Sequence, residues 1–302
     1  MGIRRSRIRS YRFRALATLV ATALVGCLIA IAAAIWVFNP AHALTGDARL
    51  ELDRFILNCD FSHRAKDDPI VHPGHAGMAH SHDFFGNTST DAFSTYESLR
   101  AADTTCDLDA DTAAYWVPTL YQNGKALKPD RALIYYITRH DPERVRAFPP
   151  NLRMIAGDAE ATSSQHPHVT AWWCATTDND MLREPPRQCP DGTHLALAVF
   201  FPNCWDGQHL DSRNHQSHMT YSRRACPSTH PVRTPTIELN IVYPTSRGGG
   251  VTLSSGSRHT AHADFINSWK QRELVSLVRR CINDQTRTRD DFCIPPHDYQ
   301  GG

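Results

Sequence analysis

Thr236–Tyr243 reads Thr-Ile-Glu-Leu-Asn-Ile-Val-Tyr, with Ile237, Leu239 and Ile241 on one side of an extended chain and Glu238 and Asn240 on the other. Successive side chains of a strand point to opposite faces, so a period of two predicts a half-buried antiparallel strand. Ala132–Thr138, ALIYYIT, is a second β-prone run, and Leu195–Phe201 is a third, apolar throughout. Between Tyr115–Tyr121 and Ala126–Leu127, the segment Gln122-Asn123-Gly124-Lys125 carries an Asn-Gly pair, which favours the positive φ angles of a type I′ hairpin turn. Gly248–Gly250 and Gly256 bracket a further short strand at Val251–Leu253. Together these runs predict a mainly β body, sandwich or jelly-roll-like, with a few helices.

Around that body the pattern is less regular. Leu44–Leu57 fits a strand or a short helix, and Cys59–Asn87, with five histidines, reads as a long polar loop. Ser94 and Glu97 have the spacing of a capping box for a helix over Thr90–Ala102. Near the C-terminus, Asp264 reads as the N-cap of an amphipathic helix whose stripe runs through Phe265, Trp269, Leu274, Leu277, Val278 and Cys281.

The first residues are a different material. Six arginines lie between Arg4 and Arg14, ahead of an uncharged run, Ala15–Phe38, that would extend about 36 Å as a helix. Basic residues stay on the cytoplasmic side, so the expected arrangement is a single-pass anchor with the rest of the chain outside the cell. Ala41-His42-Ala43 has the form a signal peptidase accepts, which makes secretion after cleavage near Ala43 the alternative. The expected organisation is a basic segment (1–14), an anchor or signal core (15–38), a linker (39–57) and one extracellular domain (58–302).

Export agrees with the cysteines. Apart from Cys27 there are eight, an even set of the kind an oxidising compartment pairs. Sequence-local bridges are expected: Cys59–Cys106, Cys174–Cys189, Cys204–Cys226 and Cys281–Cys293. No C-x-x-C pair occurs, which argues against a thiolate zinc site. Setting aside the six N-terminal arginines leaves 26 basic against 31 acidic residues, a net charge of −5, and no dense basic patch for nucleic acid.

Pro202–Tyr221, PNCWDGQHLDSRNHQSHMTY, is too polar for a core and too long for an idle connection. It brings Trp205, Asp206, Asp211, His215 and His218, while His80, His82 and Asp83 sit in one earlier segment and His262 and Asp264 in a later one. His80 and His82 share a face if extended, and His215/His218 or His259/His262 share one on a helical turn. Simpler roles exist for several of these: an N-cap for Asp264, an Asx turn for Asp206 or Asp211, core packing for Trp205.

The segments DDPIVHPG, HSHDFFGNTST, TLY, FPNCWDGQHLDS, HQSHMTY, CPSTHPV, LSSG and HADFINSW, in that order, resemble the DUF1996 family of uncharacterised secreted domains from actinobacteria and fungi. In fungi such domains are often joined to WSC modules, which are associated with cell-wall carbohydrate. The resemblance runs from about Cys59 to Cys293 and implies one domain with a shared pocket, without supplying its chemistry. The positions matching the family's polar motifs are His80, His82, Asp83, Asp206, Asp211, His215, His218, His262 and Asp264, which are expected to line one cleft.

Three functions compete. The first is a hydrolase or lyase acting on envelope polysaccharide, with His82, Asp83, Asp206, His218, His262 and Asp264 as candidate catalytic groups and His80, Trp205, Asp211 and His215 holding substrate. The second is a glycan-binding domain without turnover, using Trp205, Trp172 and Trp173 as sugar platforms. The third is a zinc- or copper-binding domain built on His80, His82, His215, His218 and His262, the one reading that calls for a cofactor, a divalent metal. No G-x-S-x-G or H-E-x-x-H is present to choose among them.

Overall fold

A computed structural model describes residues 54–138, 144–175, 181–284 and 293. Fifteen strands dominate it, and nine form one antiparallel sheet in the order β7-β15-β3-β2-β1-β6-β13-β9-β8. Those nine are β1 (Arg54–Ala65), β2 (His82–Gly86), β3 (Ala114–Pro118), β6 (Arg131–Ile137), β7 (Arg153–Gly157), β8 (Thr170–Cys174), β9 (Leu195–Phe200), β13 (Thr236–Val242) and β15 (His262–Ile266). The sheet curls until β7, at one edge, approaches β9 near the other, so it is nearly closed. Two three-stranded sheets flank it: β14 (Val251–Leu253) with β4 (Leu120–Gln122) and β5 (Lys125–Ala126), and β11 (Met219–Thr220) with β10 (Cys204–Trp205) and β12 (Val232–Arg233). A mainly β body with few helices is therefore what the alternating runs build.

The predicted β6 and β13 pair directly, Leu239 opposite Ile134, with their apolar faces in the central core. The other face of β13 is less exposed than a half-buried strand requires. Asn240 and Val242 are buried, and Val242 packs with Ala196, Ala198, Phe200 and Trp173 in an outer cluster. The Asn-Gly hairpin also forms, with Gln122 opposite Lys125 and φ of 51° at Asn123 and 78° at Gly124. All four expected disulfides pair: Cys59–Cys106, Cys174–Cys189, Cys204–Cys226 and Cys281–Cys293.

Four expectations need correction. β1 continues through Cys59 to Ala65, into what reads as polar loop, because its first half pairs with β6 and its second half with β2. The helix near residue 96 is α1 (Tyr96–Ala101), capped one residue later than expected by a Thr95/Ser98 box, while Ser94 Oγ accepts the Asp91 N–H. Asp264 caps nothing, because His262–Ile266 is a strand buried between β3 and β7, and the C-terminal helix α2 starts only at Gln271 (Gln271–Leu277) and continues as a π turn over Val278–Ile282. Phe265 and Trp269 imitate helical spacing but enter the core from a strand and a turn. The single-pass membrane expectation is likewise corrected: among the described residues no helix is long and apolar enough to cross a membrane. The segment to which an anchor or signal was assigned, 15–38, lies outside the described residues, as do 1–14 and 39–53.

A polar chain crosses the core. Trp269 Nε1–H donates to the Tyr136 hydroxyl at 3.0 Å, Tyr136 and Tyr115 hydroxyls lie 2.6 Å apart, and Tyr115 donates to Asp111 Oδ2 at 2.8 Å. Asp111 is wholly buried, and burial pushes its carboxyl up to about 8. In the unfolded chain it titrates near 3.9. The folded state therefore keeps a proton that the unfolded state has released, and this contribution, full below about pH 4, is lost as pH rises towards 8. Asp111→Asn is expected to flatten the fall in unfolding free energy between pH 6.5 and 8 by at least about 1 kcal/mol, less than one pKa unit's worth per unit of pH. Urea unfolding of both proteins with disulfides intact checks this, and parallel pH profiles would contradict it.

Candidate functional site

The site grows from the register of three strands. β2 and β15 both pair with β3, with His82 opposite Pro118 on one side and Asp264 opposite Trp116 on the other. His262 lies two residues before Asp264 on β15, where it pairs with Gly157 of β7, so both imidazoles are carried to the same end of β3. Alternation then sorts the faces. His82, Phe84, Trp116, His262, Asp264 and Ile266 share the outer face, whose apolar members form a small cluster with Ile70 and Leu99. Asp83, Phe85, Val117 and Phe265 take the inner face, and the apolar three belong to the central core.

On the outer face three imidazoles converge. The Nε2 atoms of His80 and His262 lie 3.2 Å apart, and ring centroids are 4.3 Å apart for His80–His82, 5.1 Å for His80–His262 and 5.9 Å for His82–His262. One ring nitrogen from each lies within 4.8 Å of the other two. Two tautomers follow from backbone partners. His82 Nδ1–H donates to the Asp67 carbonyl at 2.9 Å and His262 Nδ1–H to the Thr260 carbonyl at 2.8 Å, so each turns an Nε2 lone pair inward. His82 is 0% exposed, and its Nε2 meets no hydrogen-bond partner among the described residues.

Burial keeps all three rings neutral. It lowers His82 well below the ordinary imidazole value, holds His262 at about 4 and lowers half-buried His80, with the neighbouring histidines adding to the effect. Neutral imidazole is the form that ligates a metal. Beside them, Asp68, His82 and Asp264 also bring donor atoms within 4.8 Å of one another. Asp264 is buried with Oδ2 unpartnered among the described residues, and burial next to Asp68 raises its pKa well above the carboxylate range. Asp68 Oδ1 accepts the N–H groups of Ile70 at 2.8 Å and Val71 at 2.9 Å.

Asp67 and Asp68 belong to a loop closed on itself, in which Ala79 N–H donates to the Lys66 carbonyl at 3.1 Å and Gly77 N–H to Asp67 Oδ1 at 2.9 Å. Asp68 was not among the expected site residues. Its only sequence signal is its place in DDPIVHPG, since nothing in spacing links it to Asp264.

The other expected residues lie elsewhere, which corrects the idea of one cleft. Asp83 faces inward and is gripped by Arg64, with Nε to Oδ1 at 2.5 Å and Nη2 to Oδ2 at 3.1 Å, and Thr119 Oγ1 adds a bond at 3.1 Å. Burial still raises its pKa. His218 sits in the 202–221 loop with both nitrogens engaged, Nε2–H on the Arg153 carbonyl at 2.7 Å and Nδ1 on Ser212 Oγ at 2.9 Å. It joins Asp206, Asp211 and Ser212 around a separate hollow of about 480 Å³.

In that loop Asp206 behaves as the Asx former that simpler reasoning allows, accepting the N–H groups of Gln208 and His209 and pairing with the His209 ring at 2.6 Å. Partial burial pushes Asp206 up, and these bonds outweigh it to hold the carboxylate below its usual value. Asp211 holds His215 Nδ1 at 3.0 Å, and Trp205 spends its Nε1–H on the His209 carbonyl at 2.7 Å while packing on the core. His259, placed beside His262 by an i,i+3 argument, instead meets Glu184 at 2.9 Å. His262 and Asp264 are neighbours because they are i,i+2 on a strand.

A family model described as a domain of unknown function (DUF1996) matches residues 68–269, about two-thirds of the chain, and that span contains all three imidazoles, Asp68 and Asp264. No curated protein and no solved structure matches the chain.

Because Asp83 is buried and Arg64 is its ion partner, Arg64→Ala leaves an uncompensated carboxylate and is expected to destabilise the fold by about 3 kcal/mol. His80→Ala, at a half-exposed ring, is expected to cost less than about 1 kcal/mol. Urea unfolding with disulfides intact measures both, and equal losses would mean that Asp83 is not the structural ion pair described.

Proposed function

The chain belongs to the DUF1996 family, and we propose that it holds one divalent transition-metal ion on His80, His82 and His262. The observation that carries this reading is the buried, unpartnered Nε2 of His82, aimed at two further imidazoles. A polar atom out of reach of water and of protein donors costs free energy unless something binds it. Spacing supports the same reading. Metal–nitrogen bonds of about 2.0–2.1 Å at tetrahedral angles hold neighbouring donors about 3.3 Å apart, and His80 and His262 present Nε2 atoms 3.2 Å apart. Without an ion that contact is an Nε2–H···Nε2 hydrogen bond donated by His80, which only has to move its proton to Nδ1 to become a third ligand.

Imidazole ligands suit zinc or copper, whereas calcium and magnesium take oxygen. Three protein ligands leave a tetrahedral ion one open position, the arrangement of catalytic rather than structural zinc. Half-exposed His80 marks the side from which a further ligand enters. When bound, the ion supplies a Lewis acid for an oxygen atom. Polysaccharide, rich in hydroxyl and acetal oxygens, is the proposed substrate class, and the Asp67 and Thr260 carbonyls serve to hold two rings with their lone pairs inward. Among the expected ligands, His218 is left out because Ser212 and the Arg153 carbonyl take up both its ring nitrogens, and His215 because it is not among the grouped donors and Asp211 holds its Nδ1.

Metal analysis of protein purified without a histidine tag should find roughly one zinc or copper per chain after reconstitution. His82→Ala and His262→Ala should lose it and His218→Ala should keep it. Zinc at about a hundredfold its Kd should add about 2.7 kcal/mol to the unfolding free energy. A reconstituted protein without stoichiometric metal, or a His218→Ala loss as large as that of His82→Ala, would sink the assignment.

A further inference from the structure

His262 turns its Nε2 inward because its Nδ1–H is spent on the Thr260 carbonyl at 2.8 Å, so whatever holds that carbonyl aims the ring. Thr260 ends a single turn of 3-10 helix, Arg258–Thr260, and the last carbonyls of a helix have no partner within it. One side chain from a distant segment takes up the carbonyls on either side. Gln165 Nε2 donates to the His259 carbonyl and to the Ala261 carbonyl, each at 2.8 Å, while Gln165 Oε1 accepts the Asp158 N–H at 3.0 Å. Asp158 follows Gly157, the residue of β7 that pairs with His262, so this amide ties the turn before β15 to the end of its neighbouring strand. A second clasp closes over the same turn. The Glu184 carboxylate accepts from Ser164 Oγ, from Arg258 Nε and from His259 Nε2, the last at 2.9 Å.

An amide is the group this place calls for. Two carbonyl oxygens need two N–H donors arriving from one direction, which the NH2 of Gln165 supplies while its oxygen meets a backbone donor. A carboxylate there would bring no donor and would set a charge against both carbonyls. Every partner of the Gln165 side chain is backbone, and it reaches Ala261 across 96 residues of chain, so its work is to hold the turn in place. We infer that Gln165 is a positioning residue of the imidazole centre: by fixing the His259 and Ala261 carbonyls it keeps the Thr260 carbonyl on His262 Nδ1–H and the His262 Nε2 lone pair on His80. Its effect on metal affinity rests on the metal reading of the centre, whereas its effect on the His262 tautomer does not. Partners of a ligating histidine's second nitrogen change metal affinity by about 10–100-fold when lost.

Two variants test the role. Gln165→Glu keeps the length and the oxygen that Asp158 uses but has no N–H to give, and Gln165→Met removes every one of these bonds without adding charge. Nitrogen-15 NMR of the metal-free protein near neutral pH reads the ring: the parent is expected to carry its His262 proton on Nδ1 throughout, and both variants to show an added Nε2–H population. Zinc affinity, measured by competition with a chelator, should fall by about tenfold or more in both. Their far-ultraviolet circular dichroism should remain that of the parent, so that both changes are read in folded protein. A folded variant whose His262 stays wholly Nδ1–H, or one that binds zinc as tightly as the parent, would overturn the role. Should the parent itself bind no zinc, the metal reading falls alone and the tautomer measurement decides the part played by Gln165.

Discussion

Strand β3 is the constraint on which the rest of the molecule turns. It takes β2 on one side and β15 on the other, with His82 opposite Pro118 and Asp264 opposite Trp116, so residues 82 and 262 are carried to the same end of β3. Strands lie about 4.8 Å from their neighbours, and two side chains on the same face of strands one apart reach towards each other over the strand between them. Without that register the imidazoles would have no common centre. The next rung, opposite Val117, turns Asp83 to the other face, where Arg64 and Thr119 make its burial tolerable.

Burial then assigns chemistry to groups that look alike in sequence. Asp83, Asp111 and Asp264 are all buried carboxyls. One has a guanidinium, one has a tyrosine hydroxyl and a backbone N–H, and one has an oxygen with no donor among the described residues. Histidines divide in the same manner. His209, His215 and His259 are held by carboxylates at or near the surface, where they brace loops. His82 and His262 are held by backbone carbonyls in the interior, which leaves each a lone pair to offer. Desolvation keeps those rings uncharged, so three of them can crowd together without mutual repulsion.

The fold was legible where the signal is local. Alternation in β6 and β13, Asn-Gly at the hairpin and cysteines a few dozen residues apart each depend on neighbours along the chain, and each appears as read. Spacing misled where a buried strand and the turn after it imitate a helical stripe. Phe265, Trp269 and Leu274 recur at nearly helical intervals, yet five consecutive residues of β15 are buried because other elements cover both of its faces. Capping pattern alone placed the start of α1 one residue early, since Ser94 had a better use in the Asp91 turn.

By itself the sequence determined a disulfide-linked β body and a surplus of histidine and aspartate in its irregular segments, because composition and local period are properties of the chain. It also placed His80 and His82 on a common face, as any extended i,i+2 pair must be. Only the tertiary structure decided that His262 completes that pair and that Asp83 and His218 do not. The physical reason is that strand register joins residues 180 positions apart, and a shift of one residue would turn every one of these side chains to the opposite face.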